Sequence, residues 1–406
     1  MKIDSGLLRR GFAALAIGLL AASAGAAQPA AAGWQKHENL APVNGADGKP
    51  HAAMCSGYPG TDPKFSFWTK KGTSKNLAVF FEGGGACWDK LTCSFPSSDP
   101  LPPGIPPQLQ FFVPAIDANS TPANYDGIFN AENPANPVKD WTMVYVPYCT
   151  GDLHIGSAQK TYANGGNPYI PPTFDIQHRG FDNFMVVLDW MKKNVDKPKN
   201  VLVAGASAGG YGATANFPWI ERTFRNAHTY VMADASQGVT TPTWDTYGRS
   251  SWNIQLAPWI FGDDPAAIAG PELMRVAAEA LPHVKTAQYT TAYDATQISF
   301  YGLMKQFYPP GGSCPNPALD WHHQMVDTLQ SYVADVPNFR YYLAEGTDHT
   351  LLRSAKFYTE DSAGVNFSVW LGDMLANRGG TGGHGGNWEN AACESCLLQL
   401  PCPTAP

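Results

Sequence analysis

The sequence predicts an α/β fold: a mainly parallel sheet with helices on both faces and long loops. Three observations point there. Short apolar runs rich in β-branched and aromatic residues recur along the chain. Stretches of helical spacing stand between them, and several runs end at a glycine, acidic or histidine-bearing loop. Charged residues make up only 15% of the chain while Gly (40) and Pro (34) are plentiful, as expected for long loops around a compact centre.

Taken from the N-terminus, Lys2, Arg9 and Arg10 precede the apolar run GFAALAIGLLAASAGA, which closes on small residues. That order is expected of a cleavable export signal over residues 1–27, followed by a single α/β domain over 28–406. A membrane anchor is the competing reading, but the run is short and broken by glycine and serine. The expected destination is secreted or periplasmic, and Arg9-Arg10 matches a twin-arginine signal only in part. No later run approaches a spanning length. The formal net charge is −7 and there is no Lys/Arg cluster, which excludes nucleic acid and anionic membrane surfaces as natural partners.

Asn76–Glu82 (NLAVFFE) reads as a buried strand running into Gly83-Gly84-Gly85. A Pro-, Ser- and Asn-rich stretch from Ser94 to Asn124 carries Phe111 and Phe112, and reads as an active-site cover or a surface loop. Trp141–Cys149 is a second strand candidate. From Gly180 to Asn194, Phe181, Phe184, Met185, Val187, Leu188 and Met191 recur at helical spacing. The buried strand Asn200–Gly205 follows, then Ser207, then a helix of small residues through Trp219. Thr229–Ala233, Thr286–Ala292 and Phe339–Ala344 are further strands, ending at Asp234, Asp294 and Asp348-His349. In a parallel sheet the chemistry gathers beyond these C-terminal strand ends.

Gly205-Ala206-Ser207-Ala208-Gly209 has the G-x-S-x-G form of a nucleophile elbow, with a strand before it and a helix after it. The glycines permit a sharp strand-to-helix turn, and the helix N-terminus aims free N–H groups at any oxyanion formed there. A serine hydroxyl needs a base, and the base an orienting acid. His349 in the loop EGTDHTLL is the expected base. His384 lies among glycines with no strand before it, and His322-His323 sit in a helical segment and are expected to face solvent. Asp348 is the chain neighbour of His349, badly placed to reach its ring, and is expected to serve the loop. For the acid, Asp234 and Asp294 both end strands downstream of the serine; Asp294 holds the commoner position. The oxyanion hole is expected from the N–H of Ala208 with donors from Gly84 and Gly85. Together these predict a serine carboxylic ester hydrolase with Ser207, His349 and Asp294, needing no metal or organic cofactor. Its partner is an ester substrate.

Eight cysteines suit an oxidising compartment. Cys87 and Cys93 sit in one short loop and could bridge locally. Cys393-x-x-Cys396 lacks a second ligand pair at zinc spacing, and the other connectivities stay open.

FFEGGGACW with Cys93 after it, then GIFNAENPANPVKDWTMVYVPYCTGDLHIG, the RG-led helix and GASAGGYGA follow one another over roughly Asn76 to Asp373. In this order the segments resemble the pectin acetylesterase family, whose animal relatives are the Notum-type protein deacylases. The resemblance implies an α/β-hydrolase fold and ester hydrolysis, and implies a secreted, bacterial-type member. It also implies a triad acid within Tyr293-Asp294-Ala295-Thr296-Gln297, hence Asp294, with His349 as the family histidine. Asp234 matches a structural acidic position, and Cys87 is implied to pair with Cys93. Gly85 stands where some of those deacylases place a bulky aromatic that walls an acyl pocket. With Phe111 and Phe112 the only nearby replacements in sequence, the expectation is short acyl groups, acetyl above all, on a polysaccharide such as pectin. Depolymerisation of a polyhydroxyalkanoate-type polyester, or lipase-like action, is the alternative. A catalytically inactive secreted binding protein is the alternative of another class.

Overall fold

The computed structural model describes residues 33–97, 110–117, 121–311, 314–376 and 388–403. The expected export signal, His384 and about half of the proline-rich stretch lie outside the described residues.

Nine strands form the central sheet: β1 (Trp34–His37), β2 (Phe67–Lys70), β3 (Asn76–Phe81), β4 (Thr142–Val146), β5 (Asn200–Ala206), β6 (His228–Asp234), β7 (Lys285–Thr291), β8 (Phe339–Ala344) and β9 (Ala391–Ala392). Their order is β1-β2-β4-β3-β5-β6-β7-β8-β9. Only the β1–β2 and β2–β4 pairings are antiparallel. From β4 to β9 the sheet is parallel, as the alternation of strands and helices predicts. The expected strands appear with ends shifted by a residue or so, except that Trp141–Cys149 narrows to β4.

Both faces are covered, and the period-2 alternation of the strands shows how. Leu77, Val79 and Phe81 of β3 with Val201 and Val203 of β5 face one core. Onto it pack α1 (Gly180–Asn194), α2 (Ala208–Thr223), α3 (Glu272–Ala280), α4 (Ala295–Phe307) and α5 (Pro317–Asp335). Ala78 and Phe80 with Leu202 and Ala204 face a second core, closed by α6 (Phe367–Leu375). Phe80 and Phe184 are fully buried, one in each core. Truncating either to alanine costs about 3–5 kcal/mol.

Register fixes where the chemistry gathers. Phe81 of β3 pairs with Gly205 of β5, Ala206 with Asp234 of β6, and Thr291 of β7 with Ala344 of β8. The segments after these strands therefore emerge along one edge: Glu82–Gly85, Ser207, Ala235, Asp294 and the loop around His349.

Four disulfides join Cys55–Cys149, Cys87–Cys93, Cys314–Cys402 and Cys393–Cys396. The C-x-x-C is thus a local bridge. Among the described residues no helix is long and apolar enough to cross a membrane. One expectation is overturned: His322 is buried, with Nδ1 at 2.8 Å from Ala292 O and Nε2 at 3.1 Å from Leu398 O. It falls on the same stripe of α5 as the buried Met325, Val326 and Leu329, three, four and seven residues on, so the helix turns it inward. His323, one residue round the helix, is half-buried and bonds Leu400 O.

Candidate active site

Ser207 stands between β5 and α2 with φ 57° and ψ −125°, a backbone strain of about 1–3 kcal/mol for a residue with a side chain. The turn closes because its neighbours have none. A Cβ on Gly205 would lie 2.0 Å from Gly209 O, and one on Gly209 would lie 1.9 Å from Phe81 O. The Ser207 N–H donates to Asp234 O at 2.7 Å, which anchors the elbow to β6.

Asp294 is fully buried and caps the N-terminus of α4, accepting from the Thr296 and Gln297 N–H groups at 3.0 and 2.9 Å. The Gln297 amide also donates to it at 3.0 Å, and that amide is held in turn by Gln237 and Thr290. Onto this fixed carboxylate His349 places Nδ1, at 2.8 and 3.0 Å from its two oxygens. A ring that donates from Nδ1 keeps its lone pair at Nε2. Nε2 is buried and has no hydrogen-bond partner among the described residues, and His349 lines the same cavity as Ser207. A base with its lone pair free, oriented by a carboxylate and facing the serine's cavity, can take a hydroxyl proton.

Asp234 does different work. Its Oδ2 accepts from the Leu351 and Leu352 N–H groups at 2.7 and 2.8 Å, so it holds the loop that follows His349. Burial raises its carboxyl to a pKa of about 6. Glu82, at the end of β3, accepts the Tyr145 hydroxyl at 2.8 Å and pairs with Arg353 of the same histidine loop. Asp348 is exposed and pairs with Lys356, while its carbonyl accepts the Thr291 hydroxyl at 2.8 Å.

Of the expected oxyanion donors, Gly85 and Ala208 line the cavity and Gly84 does not. Ala208 opens α2, so its N–H has no acceptor within the helix. Val113 donates to Gly84 O and Ala86 to Phe111 O, both at 2.8 Å, and Gly85 bridges Phe112 between them. Gly85 thus holds the non-hydrogen-bonded place, its own N–H turned away from Phe112. Gly84 is turned the other way, where a Cβ would strike Tyr148 and Val113.

The cavity holds about 900 Å3 of empty space, part of it open to solvent. Its walls are mostly apolar and aromatic, with Trp88, Trp244, Trp252, Phe300 and Trp321 prominent. Trp88 lies inside the Cys87–Cys93 loop, with its ring 5.4 Å from that of Trp244, edge to face. Trp244 stands 5.8 Å from Trp252, whose indole N–H donates to Cys87 O at 2.8 Å. Sequence reading missed these walls, and placed Phe111 and Phe112 there instead. Both are buried outside the cavity, Phe112 against Tyr58 and the Cys87–Cys93 bridge. The bareness of position 85 has its own cause: φ is +72°, and a Cβ would lie 2.0 Å from Phe111 O.

Cys87, Cys93 and His178 bring potential metal-ligand atoms within 4.8 Å of one another. Both sulfurs are spent in the disulfide, and both ring nitrogens of His178 are engaged, by Thr150 O and the Tyr162 hydroxyl. The group does not fit a metal.

Comparison with known proteins bears on the family and the fold. The palmitoleoyl-protein carboxylesterase notum1a of Danio rerio is 25% identical over 193 residues, 46% of this chain and 33% of that protein. The palmitoleoyl-protein carboxylesterase notum2 of Xenopus laevis is 28% identical over 150 residues, 35% of this chain and 26% of that protein. The matched part spans a third or less of these relatives. The crystal structure of the Wnt deacylase Notum from Drosophila (crystal form II) superposes with a TM-score of 0.52 at 17% identity, over 82% of this chain and 92% of that one, and shares the fold. A sequence profile described as Pectinacetylesterase matches residues 40–246, half of the chain. On these grounds the chain belongs to the pectinacetylesterase family of carboxylic ester hydrolases, built on an α/β-hydrolase fold.

Proposed function

We propose that the chain hydrolyses carboxylic esters through an acyl-enzyme on Ser207, with His349 as base, Asp294 as orienting acid, and the acyl group in the tryptophan-walled cavity. The observation that carries this is the free, buried Nε2 of His349 in the cavity of Ser207, with Nδ1 held by Asp294. Ser207 Oγ attacks the ester carbon while its proton passes to Nε2. The N–H groups of Gly85 and Ala208 stabilise the negative oxygen of the tetrahedral intermediate. The proton then goes to the departing alkoxide, and water repeats the cycle on the acyl-enzyme. Export by the 1–27 segment belongs to the same reading, supported by four disulfides.

For the acyl group the expectation changes. An acetyl preference follows only if Gly85 removes a wall that Phe111 and Phe112 alone replace, whereas the aromatic walls come from elsewhere in the chain. We place acyl chains longer than acetyl in this cavity, in keeping with relatives named for removing palmitoleoyl groups. Each methylene buried there contributes about 0.8 kcal/mol, roughly fourfold in kcat/KM until the space is filled. The test is a p-nitrophenyl ester series from acetate to palmitate, run beside acetylated pectin, with fluorophosphonate labelling of Ser207. A maximum beyond butyrate is expected. A maximum at acetate with release from pectin restores the short-acyl reading, and an unlabelled Ser207 ends the enzymatic one.

A further inference from the structure

Tyr211 lies four residues after Ser207 on α2, one helical turn on, and lines the same cavity. Helical side chains lean toward the N-terminus of their helix, so its phenol tilts back toward the nucleophile. Its surroundings leave it in an unusual state. The Gly238 N–H donates to its oxygen at 3.1 Å, which fixes the hydroxyl as acceptor on that side. Among the described residues its own proton has no acceptor. Thr240, Arg249 and Gln297 of the same cavity are spent, while the buried indole N–H groups of Trp88 and Trp244 are, among the described residues, also without an acceptor. The Thr240 hydroxyl bonds Asp245, the Arg249 guanidinium bonds Asp245 O and Ile268 O, and the Gln297 amide bonds Asp294 and Gln237. Burial holds the phenol well above its ordinary pKa, so it keeps its proton across the working range. A donor left over in an apolar cavity favours a ligand that brings an acceptor, because an unpaired buried donor pays its desolvation in full.

We infer that the Tyr211 hydroxyl is a specificity determinant that donates to an oxygen substituent near the carbonyl end of the acyl chain, so that hydroxyacyl esters are favoured over plain alkanoyl esters. This rests on the proposed function, and narrows its substrate to esters and oligoesters of hydroxy acids. The tilt of the phenol toward Ser207 puts the contact within the first few carbons, so a 3-hydroxybutyryl ester is the natural probe and a butyryl ester its match in length.

The test compares methyl 3-hydroxybutyrate with methyl butyrate, using wild type and Tyr211→Phe, by kcat/KM in a pH-stat. The wild type is expected to favour the hydroxy ester, and Tyr211→Phe to lower the ratio of the two values about tenfold. The lost acceptor for the Gly238 N–H affects both esters alike and drops out of that ratio. An unchanged ratio overturns the inference. So does an equal loss on both esters, which would place the phenol on the carbonyl or leaving oxygen that the two share. If Ser207 takes the fluorophosphonate label and the wild-type ratio is one, only this inference fails. If Ser207 is not labelled and neither ester is cleaved, the proposed function fails with it.

Discussion

Glu82 and Arg353 form an ion pair that joins the end of β3, where the glycine loop begins, to the loop that carries His349. Tyr145 donates to the same carboxylate, and the guanidinium lies over the ring of Tyr125 at 5.2 Å. Burial raises the Glu82 carboxyl, and the facing Arg353 charge opposes that rise. Arg353→Met leaves the carboxylate buried and unpaired. Loss of a fully buried partner costs about 3–5 kcal/mol, and roughly half of that is expected here because the Arg353 side chain is 35% exposed. Since the pair sets the proposed base against the proposed oxyanion donors, kcat should fall by more than KM rises, with Arg353→Lys intermediate. Urea unfolding beside steady-state kinetics checks both, and full activity in a destabilised Arg353→Met would reduce the pair to a stability element.

Asp294→Asn should lower kcat by roughly 10^3–10^4-fold with little change in KM. The amide can still accept from the N–H groups of α4, so the helix start survives, but it no longer fixes and stabilises the imidazole. Kinetics on a matched ester with a thermal melt alongside measures this, and turnover within tenfold of wild type would move the acid elsewhere.

Asp234→Asn should act on stability, with a pH signature. The folded carboxyl has a pKa of about 6, raised by burial from 3.8, so the native state holds its proton more tightly than the unfolded chain. That contribution is complete below pH 3.8 and is lost as pH rises through about 6. The asparagine has no such dependence. Wild-type stability minus that of the variant should therefore be more positive at pH 4 than at pH 8, which urea midpoints at the two values would show. A constant difference would contradict the assignment.

Opening the Cys87–Cys93 bridge should harm activity more than stability. Closing so short a loop contributes about 2 kcal/mol in the chain-entropy view, against about 4–5 for the bridge spanning 94 residues between Cys55 and Cys149. Yet the small loop carries Trp88 and receives the Trp252 indole at Cys87 O. The double variant Cys87→Ser/Cys93→Ser should lose kcat/KM several-fold on long acyl esters and less on acetate. Equal loss along the series would separate the bridge from the cavity wall.

Much of the candidate site was legible because it is local in sequence. The elbow is five consecutive residues between a strand and a helix, and His349 and Asp294 each follow a short run that reads as a strand. The sheet was legible for the same reason, since β3, β5 and β6 are nearly continuous apolar runs. The cavity was not. Trp88, the Trp244–Trp252 stretch and Trp321 come from three separate segments, and only folding gathers them. Gly84 and Gly85 look alike in sequence, and the pairing of Gly85 with Phe112 is what turns one toward the cavity and the other away. His322 shows a different failure. Its polarity suggested solvent, while its place on the apolar stripe of α5 held the better signal.

The close approach of Phe111 O to Gly85 has a consequence for how such chains diversify. No single replacement at 85 can be accepted while Phe111 keeps its path. A relative with an aromatic ring at this position must have rerouted the neighbouring segment as well. The two stretches must therefore change together, by coupled steps rather than by one substitution at a time.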